Sequence, residues 1–213
     1  MFLQSCHRNK IKPVVIGLGR DGEESIPHAK RKFLYKLTWL RDWLQRAHEN
    51  ELVFLTDSWD VFLDGGLDEL QESYKAADVP VLFAAERKLW PPGCYEGYPE
   101  SHTPYRYLNS GGFIGPAGVL LTILAECDSE RIMDQHYYHR QFLKDQRLQL
   151  DTNCTVFQCL NGHPVYPHDT IPPELEFLHG HWVNTITGSV PLQIHGNGKN
   201  FNALRKMWER VSK

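Results

Sequence analysis

Apolar and polar positions along this chain fall into blocks of two kinds. Continuous apolar runs of strand length occupy Ile11 to Leu18 (IKPVVIGL), Glu51 to Thr56 (ELVFLT), Val79 to Ala85 (VPVLFAA), Thr155 to Leu160 (TVFQCL) and Leu192 to His195 (LQIH). Runs without polar interruption fit strands buried on both faces. Between them the period changes. Over Lys32 to Glu49, Phe33, Leu37, Leu40, Leu44 and Ala47 recur at spacings of three and four, with Lys36, Arg41, Gln45 and Arg46 in between. That spacing predicts an amphipathic helix. Leu67 to Ala77, Ile132 to Leu143 and Asn202 to Val211 read as further helices, and Pro116 opens another through Ala125, because proline suits a first helical turn. Gly17, Gly19, Asp21 and Gly22 punctuate the end of the first run. Residues 90–106 (WPPGCYEGYPESHTPYR) form a long loop, and Tyr107 to Gly112 leads into the short apolar pair Phe113-Ile114. A loop of that length inside a compact domain is usually functional or mobile. Strand and helix alternate with no repeat, linker or low-complexity tract. The expectation is a single α/β domain over residues 1–213, with a mainly parallel sheet and its site at the strand carboxyl ends.

Composition narrows the function classes. Of 213 residues, 41% are hydrophobic, enough for a sizeable core. Lys and Arg number 23 against 26 Asp and Glu, so no basic excess points to nucleic acid. No apolar run approaches the 18 or so residues of a membrane span, and Met1 to Lys12 lacks the apolar core of a signal peptide. Five cysteines without a C-x-x-C pair argue against a zinc ribbon or a dense disulfide scaffold, and they leave the compartment open. Asn153-Cys154-Thr155 matches a glycosylation sequon, a pattern short enough to occur by chance.

Chemistry concentrates at strand ends. Asp57 and Asp60 follow the apolar run 51–56, and His195 ends the run 192–195 just before Gly196-Asn197-Gly198-Lys199. Two converging carboxylates repel unless a cation lies between them, and oxygen ligands suit hard divalent ions. Adding an imidazole would favour Mn²⁺ over Mg²⁺ or Ca²⁺. Each residue also has a plain structural reading: the aspartates as caps of the next turn, the histidine as a polar strand end. The two glycines after His195 let backbone N–H groups approach a phosphate, with Lys199 to pair its charge. No G-x-x-x-x-G-K-[ST] and no G-x-S-x-G is present, which excludes a P-loop and a nucleophile elbow.

Six strings appear in order: FLTDSWDVFLDGG (54–66), LFAAE followed by W-P (82–91), YRYLNSGGFIGPA (105–117), DQHYY (134–138), the run LD to LNG (150–162) and IHGNGKNFNALR (194–205). Together they resemble the glycosyltransferase domain of procollagen lysyl hydroxylases and, more distantly, the procollagen galactosyltransferases. The resemblance spans about residues 14 to 206. It implies a GT-A fold, a Rossmann-like sheet flanked by helices, with a UDP-sugar donor and Mn²⁺. It assigns metal ligation to Asp57, Asp60 and His195. Donor binding falls to Ser58, Trp59, Trp90, Asn109, Asn197, Gly198 and Lys199, with Trp59 at the uracil and the glycine loop at the diphosphate. Asp134 and Glu86 match the acidic positions near the sugar, one of which would orient the acceptor hydroxyl or stabilise the developing positive charge.

The chain departs from the family pattern in several places. Trp59 stands where Tyr is usual, Met133 where a second acid is usual, and Leu89 where a Cys precedes the Trp. The loop after His195 looks two residues shorter. Ile11 to Gly19 already matches the family's second strand, so the sheet is expected to lack the first. The expected activity is transfer of glucose or galactose from UDP to an acceptor such as hydroxylysine, or galactosyl-hydroxylysine, of a collagen-like protein. The resemblance places it in the endoplasmic reticulum lumen. The alternatives are a non-catalytic domain that binds UDP-sugar or glycan, and a hydrolase that splits the donor without an acceptor.

Overall fold

The computed structural model describes residues 1–16, 32–93, 96–127, 133–162 and 169–212. The chain runs α1 (Phe2–Arg8), α2 (Lys32–Leu44), β1 (Leu52–Thr56), β2 (Val61–Leu63), α3 (Leu67–Ala77), β3 (Val81–Glu86) and β4 (Tyr107–Pro116). It continues through α4 (Ala117–Ala125), α5 (Asp134–Phe142), β5 (Leu148–Asp151), β6 (Phe157–Cys159), β7 (Leu175–Leu178), β8 (His181–Asn184), β9 (Gln193–His195) and α6 (Phe201–Val211). The strands form a four-stranded sheet ordered β1-β4-β3-β5, a three-stranded sheet ordered β2-β9-β6, and the hairpin β7-β8.

The fold is α/β with helices on the sheet faces, consistent with the GT-A expectation. Its sheets are mixed. Pairs β3/β5 and β6/β9 are parallel, whereas β4 runs antiparallel to both β1 and β3, and β2 antiparallel to β9. The cause is β4, a ten-residue strand inserted between β1 and β3. Asn, Ser and Gly are poor strand formers, so residues 107–112 read as a lead-in rather than a strand. Burial accounts for them. A Cβ on Gly112 would lie 2.7 Å from both Gln193 Oε1 and Phe157 Cδ1, so only glycine lets the small sheet pack this closely on the large one.

Four layers result. Helices α2, α4 and α5 cover one face of the large sheet through Leu37, Leu40, Leu44, Leu120, Ile123 and Tyr138. Phe83, Phe113 and Tyr138 stack there with ring centroids 4.7 to 5.3 Å apart. The other face meets the small sheet and α3 through Leu70, Leu82, Ile114, Val156 and Phe157. Helix α6 and the β7-β8 hairpin close the far side around Trp182, Ile194, Leu204 and Met207. Strand β3 lies inside all of this, with every residue from Val81 to Glu86 buried.

The amino-terminal region differs from expectation. Residues 11–16 form no strand, and Gly17 and Leu18 lie outside the described residues. Helix α1, which the apolar pattern did not signal, packs Phe2 and Cys6 on Val61 and Leu63. It also completes the edge of β2. Ser5 Oγ accepts from Leu63 N–H at 2.9 Å, and Asn9 Nδ2 donates to Leu63 O at 3.1 Å. Side chains of α1 thus take the place of a neighbouring strand there. Among the described residues β1 pairs with β4 alone. Helix α2 stops at Leu44, short of Glu49, and Ile132 also lies outside the described residues.

Candidate metal centre

The turn from Asp57 to Asp60 joins two sheets. Asp57 leaves β1 of the large sheet, and its N–H donates to Gly111 O of β4 at 2.9 Å. Asp60 precedes β2 of the small sheet, and its carbonyl accepts from Gly196 N–H at 2.8 Å. His195 ends β9 opposite Val61 of β2. The two strand pairings deliver three side chains to one place. His195 Nε2 lies 3.4 Å from Asp60 Oδ2 and 3.8 Å from Asp57 Oδ2, and one ligand atom from each residue falls within 4.8 Å of the others. Ligands held about 2.1 Å from a common octahedral ion stand roughly 3 to 4.2 Å apart, so small side-chain movements would suffice. The donor set, two carboxylate oxygens and one imidazole nitrogen, fits a divalent ion such as Mn²⁺. The imidazole is almost fully covered, whereas the aspartate side chains are about one third exposed (35% and 33%), which leaves a side open to substrate. His195 Nδ1 is buried without a hydrogen-bond partner among the described residues, and Nε2 is the nitrogen turned to the carboxylates.

Glycine makes this geometry possible. A Cβ on Gly111 would sit 2.2 Å from His195 Cε1 and 2.6 Å from Nδ1. The floor of the site is therefore backbone. A Cβ on Gly196 would meet Leu204 Cβ at 2.8 Å, so that glycine lets α6 approach the loop after β9. Gly198 has φ +73°, a left-handed turn that glycine adopts without strain.

Charge at the site is mostly negative. Lys36 reaches in from α2 and pairs with Asp57 Oδ1 at 2.8 Å and Asp134 Oδ2 at 3.1 Å, while also donating to Ser110 O at 2.9 Å. Burial alone would lower its pKa, but the two carboxylates outweigh that and raise it. Burial likewise opposes ionisation of Asp60, and the hydrogen bond and charge of His195 reverse the sign, leaving the carboxyl below its ordinary range. His195 is the mirror case: burial lowers its pKa, Asp60 and Asp57 raise it, and the net shift is upward. Carboxylates at 57, 60, 86 and 134 thus surround a region where Lys36 supplies the one fixed ammonium among the described contacts, which favours a cation.

The structure brings most of the sequence-selected residues to this region. Asp134 begins α5, is buried, and accepts from Ser110 Oγ at 2.9 Å. Glu86 ends β3 and is 1% exposed. Asn109 and Asn197 both donate to Glu86. Trp59 projects into solvent beside the aspartates, 84% exposed, and Ser58 next to it is exposed as well. The ring of Trp90 is half exposed while its carbonyl accepts from Gln135 Nε2 and faces His139 Nε2 at 2.8 Å. Lys199 is exposed beyond Gly198.

Sequence reading missed Lys36, Ser110, Gln135 and Asn161. Lys36 left a signal, because it stands four residues before Leu40 and so on the buried stripe of α2. Gln135 and Asn161 left none that composition or period could register.

The mixed α/β fold is consistent with a GT-A-like architecture. The chain matches the family described as PLOD GT domain over residues 1–211, and it belongs to that family. It is 31% identical over 211 residues to procollagen-lysine,2-oxoglutarate 5-dioxygenase of Drosophila melanogaster, covering 92% of this chain and 28% of that protein. It is 32% identical over 172 residues to the human multifunctional procollagen lysine hydroxylase and glycosyltransferase LH3, covering 76% of this chain and 23% of that protein. A mimivirus protein, uncharacterized protein R699 of Acanthamoeba polyphaga mimivirus, is 26% identical over 212 residues, covering 97% and 44%. The chain therefore spans less than half the length of each of these relatives. No helix among the described residues is long and apolar enough to cross a membrane.

Proposed function

We propose that this domain transfers a hexose, glucose or galactose, from a UDP-sugar to a hydroxyl of a collagen-like acceptor such as hydroxylysine or galactosyl-hydroxylysine. By the same likeness to procollagen-modifying relatives, we assign the reaction to the lumen of the endoplasmic reticulum. The observation that carries the reading is the convergence of Asp57, Asp60 and His195 from two sheets in a chain of the PLOD GT family. These three would hold Mn²⁺, which when bound supplies Lewis-acid charge to the departing diphosphate.

The protein's own residues then have distinct tasks. Trp59 and Ser58 offer an exposed surface for the uracil, with the indole stacking on its face. Asn197, Gly198 and Lys199 present backbone N–H groups and an ammonium to the diphosphate oxygens, where charge builds as the sugar leaves. The Trp90 ring shields the sugar from water. Asn109 lines the floor beside Gly111. Asp134, held by Lys36 and Ser110 Oγ, shares that lysine with Asp57 and is assigned to orient the acceptor hydroxyl.

Two features favour a second reading, a domain that binds the donor without transferring. Met133 replaces an acid, and both Asp134 and Glu86 are turned into the interior. UDP release from UDP-glucose and UDP-galactose, with and without a hydroxylysine-containing collagen peptide, separates these readings. Acceptor-dependent, Mn²⁺-dependent release is expected. Tight UDP binding with no release would establish the binder, and release indifferent to acceptor a hydrolase. Stacking on a base contributes about 1–3 kcal/mol, so Trp59→Ala should raise the UDP dissociation constant about 5- to 150-fold. Equal affinity in the two proteins, by calorimetry, would remove Trp59 from the uracil.

A further inference from the structure

Glu86 occupies an unusual position for an acid. It is buried at the end of the innermost strand, and among the described residues no Lys or Arg pairs with it. Four side-chain amides surround it instead. Asn109 Nδ2 and Gln135 Nε2 donate to Oε1 at 3.2 and 2.8 Å, and Asn161 Nδ2 and Asn197 Nδ2 donate to Oε2 at 3.2 and 2.8 Å. A carboxylate has about four acceptor sites, and all are taken. Glu86 has no lone pair left for an acceptor hydroxyl or a metal.

The far ends of three of these amides are fixed as well. Asn109 Oδ1 accepts from Gly111 N–H at 2.9 Å, and Asn197 Oδ1 accepts from Asn161 N–H at 3.0 Å. Gln135 Oε1 accepts from Ser110 N–H at 3.5 Å. Backbone N–H groups can only donate, so each amide has one permitted orientation: oxygen toward the backbone, nitrogen toward Glu86. The chain of dipoles runs from one buried charge to Gly111, which underlies His195, to Asn197 beside the diphosphate loop, and through Gln135 to the carbonyl of Trp90.

We propose that Glu86 is a positioning residue whose buried carboxylate orients four side-chain amides and thereby holds the segments 108–112, 160–162 and 196–198 in register around the metal and donor. This deepens the transferase reading, since those segments carry its assigned residues, but the amide arrangement exists with or without turnover. Glu86→Gln would place an amide nitrogen among four amide nitrogens and break at least one pair on each orientation.

The experiment has a readout independent of activity. In ¹⁵N spectra of the whole chain, the side-chain NH₂ pairs of Asn109, Gln135, Asn161 and Asn197 should exchange slowly with solvent. In Glu86→Gln at least the two pairs that face the new amide nitrogen should exchange at least about tenfold faster, the scale of one lost hydrogen bond to a charged group. Loss confined to one pair, or none, overturns the proposal. The dissociation constant for UDP with Mn²⁺ should rise about tenfold or more in the same variant. Glu86→Gln combined with Asn109→Asp, which restores a donor facing an acceptor, should recover part of that loss. Unchanged affinity with only kcat reduced would instead make Glu86 a catalytic group, and no recovery in the double variant would refute the orientation account. If Glu86→Gln does not fold, Asn161→Ala at the half-buried rim removes one donor and keeps the charge. It should leave the other three pairs protected and weaken UDP about threefold; an unaltered affinity would overturn the proposal. Absence of UDP binding by the unaltered protein would count against the transferase reading and leave the exchange test intact.

Discussion

At the scale of single residues, the site depends on side chains that are absent as much as on those present. Gly111 has no Cβ, and the imidazole of His195 lies where one would be. Gly111→Ala should push the ring away from the aspartates. We expect Mn²⁺ affinity, followed by calorimetry, to fall by about tenfold or more, since a buried side chain forced off its rotamer costs on the order of 1–3 kcal/mol. Binding equal to that of the unaltered protein would show that the ring can shift without leaving the site. Lys36 is the second case. It separates Asp57 from Asp134, and its removal leaves the buried Asp134 with Ser110 Oγ but no counter-charge. Lys36→Met should cost roughly 2–4 kcal/mol in urea unfolding without metal, a little under the about 3–5 kcal/mol for deleting one partner of a fully buried pair, because Asp57 is partly exposed. A loss under about 0.5 kcal/mol would mean that water already solvates the pair.

Between elements, polar side chains do work that strand pairing does elsewhere. Ser5 of α1 and Asn9, the residue just after it, satisfy both backbone groups of Leu63 at the edge of β2. Asp64, one residue on, ties β2 to the β7-β8 hairpin by accepting Trp182 N–H at 2.9 Å. Its other oxygen is buried without a partner among the described residues, and burial pushes its carboxyl up to about 6, against opposing pulls from the Trp182 N–H, His181 and Arg8. The folded form therefore holds a proton that the unfolded form releases at lower pH. Whatever stability this proton confers is complete below about pH 4 and is lost as the pH rises through about 6. Asp64→Asn escapes that loss. Relative to the unaltered protein it should gain on the order of 1–2 kcal/mol between pH 4 and pH 7, measured by urea unfolding at the two values. A difference that does not change with pH would mean that Asp64 ionises normally.

The elements also show how far periodicity carries. Strands β1 and β3 and helices α3, α4 and α6 were legible because burial against a layer imposes a pattern that single residues cannot hide. Strand β4 was not legible over 107–112, because its Asn, Ser and Gly residues serve contacts made by β9 and β6, more than forty positions away. Helix α1 was overlooked for the opposite reason: seven residues hold too few turns to establish a period.

At the scale of the whole molecule, the proposed ion would clamp two sheets that the 57–60 turn connects and that otherwise meet through packing and scattered hydrogen bonds. Asp57 belongs to the large sheet, and Asp60 and His195 to the small one. Anything that binds only the folded form stabilises it, by about 2.7 kcal/mol at one hundred times its dissociation constant. Mn²⁺ should therefore raise the melting temperature by several degrees, and a chelator should reverse the shift. Asp60→Asn should abolish it while leaving the chain folded. A Mn²⁺-induced rise that survives Asp60→Asn would locate the ion elsewhere.

The sequence alone determined the family, the α/β class and the three candidate ligands, because each of these leaves a local mark. A charged residue at the end of an apolar run is conspicuous whatever surrounds it, and the strings around 54–66, 105–117 and 194–205 are long enough to be specific. Tertiary structure alone decided which strands run antiparallel, that an ammonium from α2 lies between two carboxylates, and that four amides from four parts of the chain meet one buried acid. The physical reason is range. Burial imprints a period on neighbouring residues, whereas a hydrogen bond between positions 86 and 197 imposes only a polar residue at each, and in sequence that looks the same as a polar residue facing water.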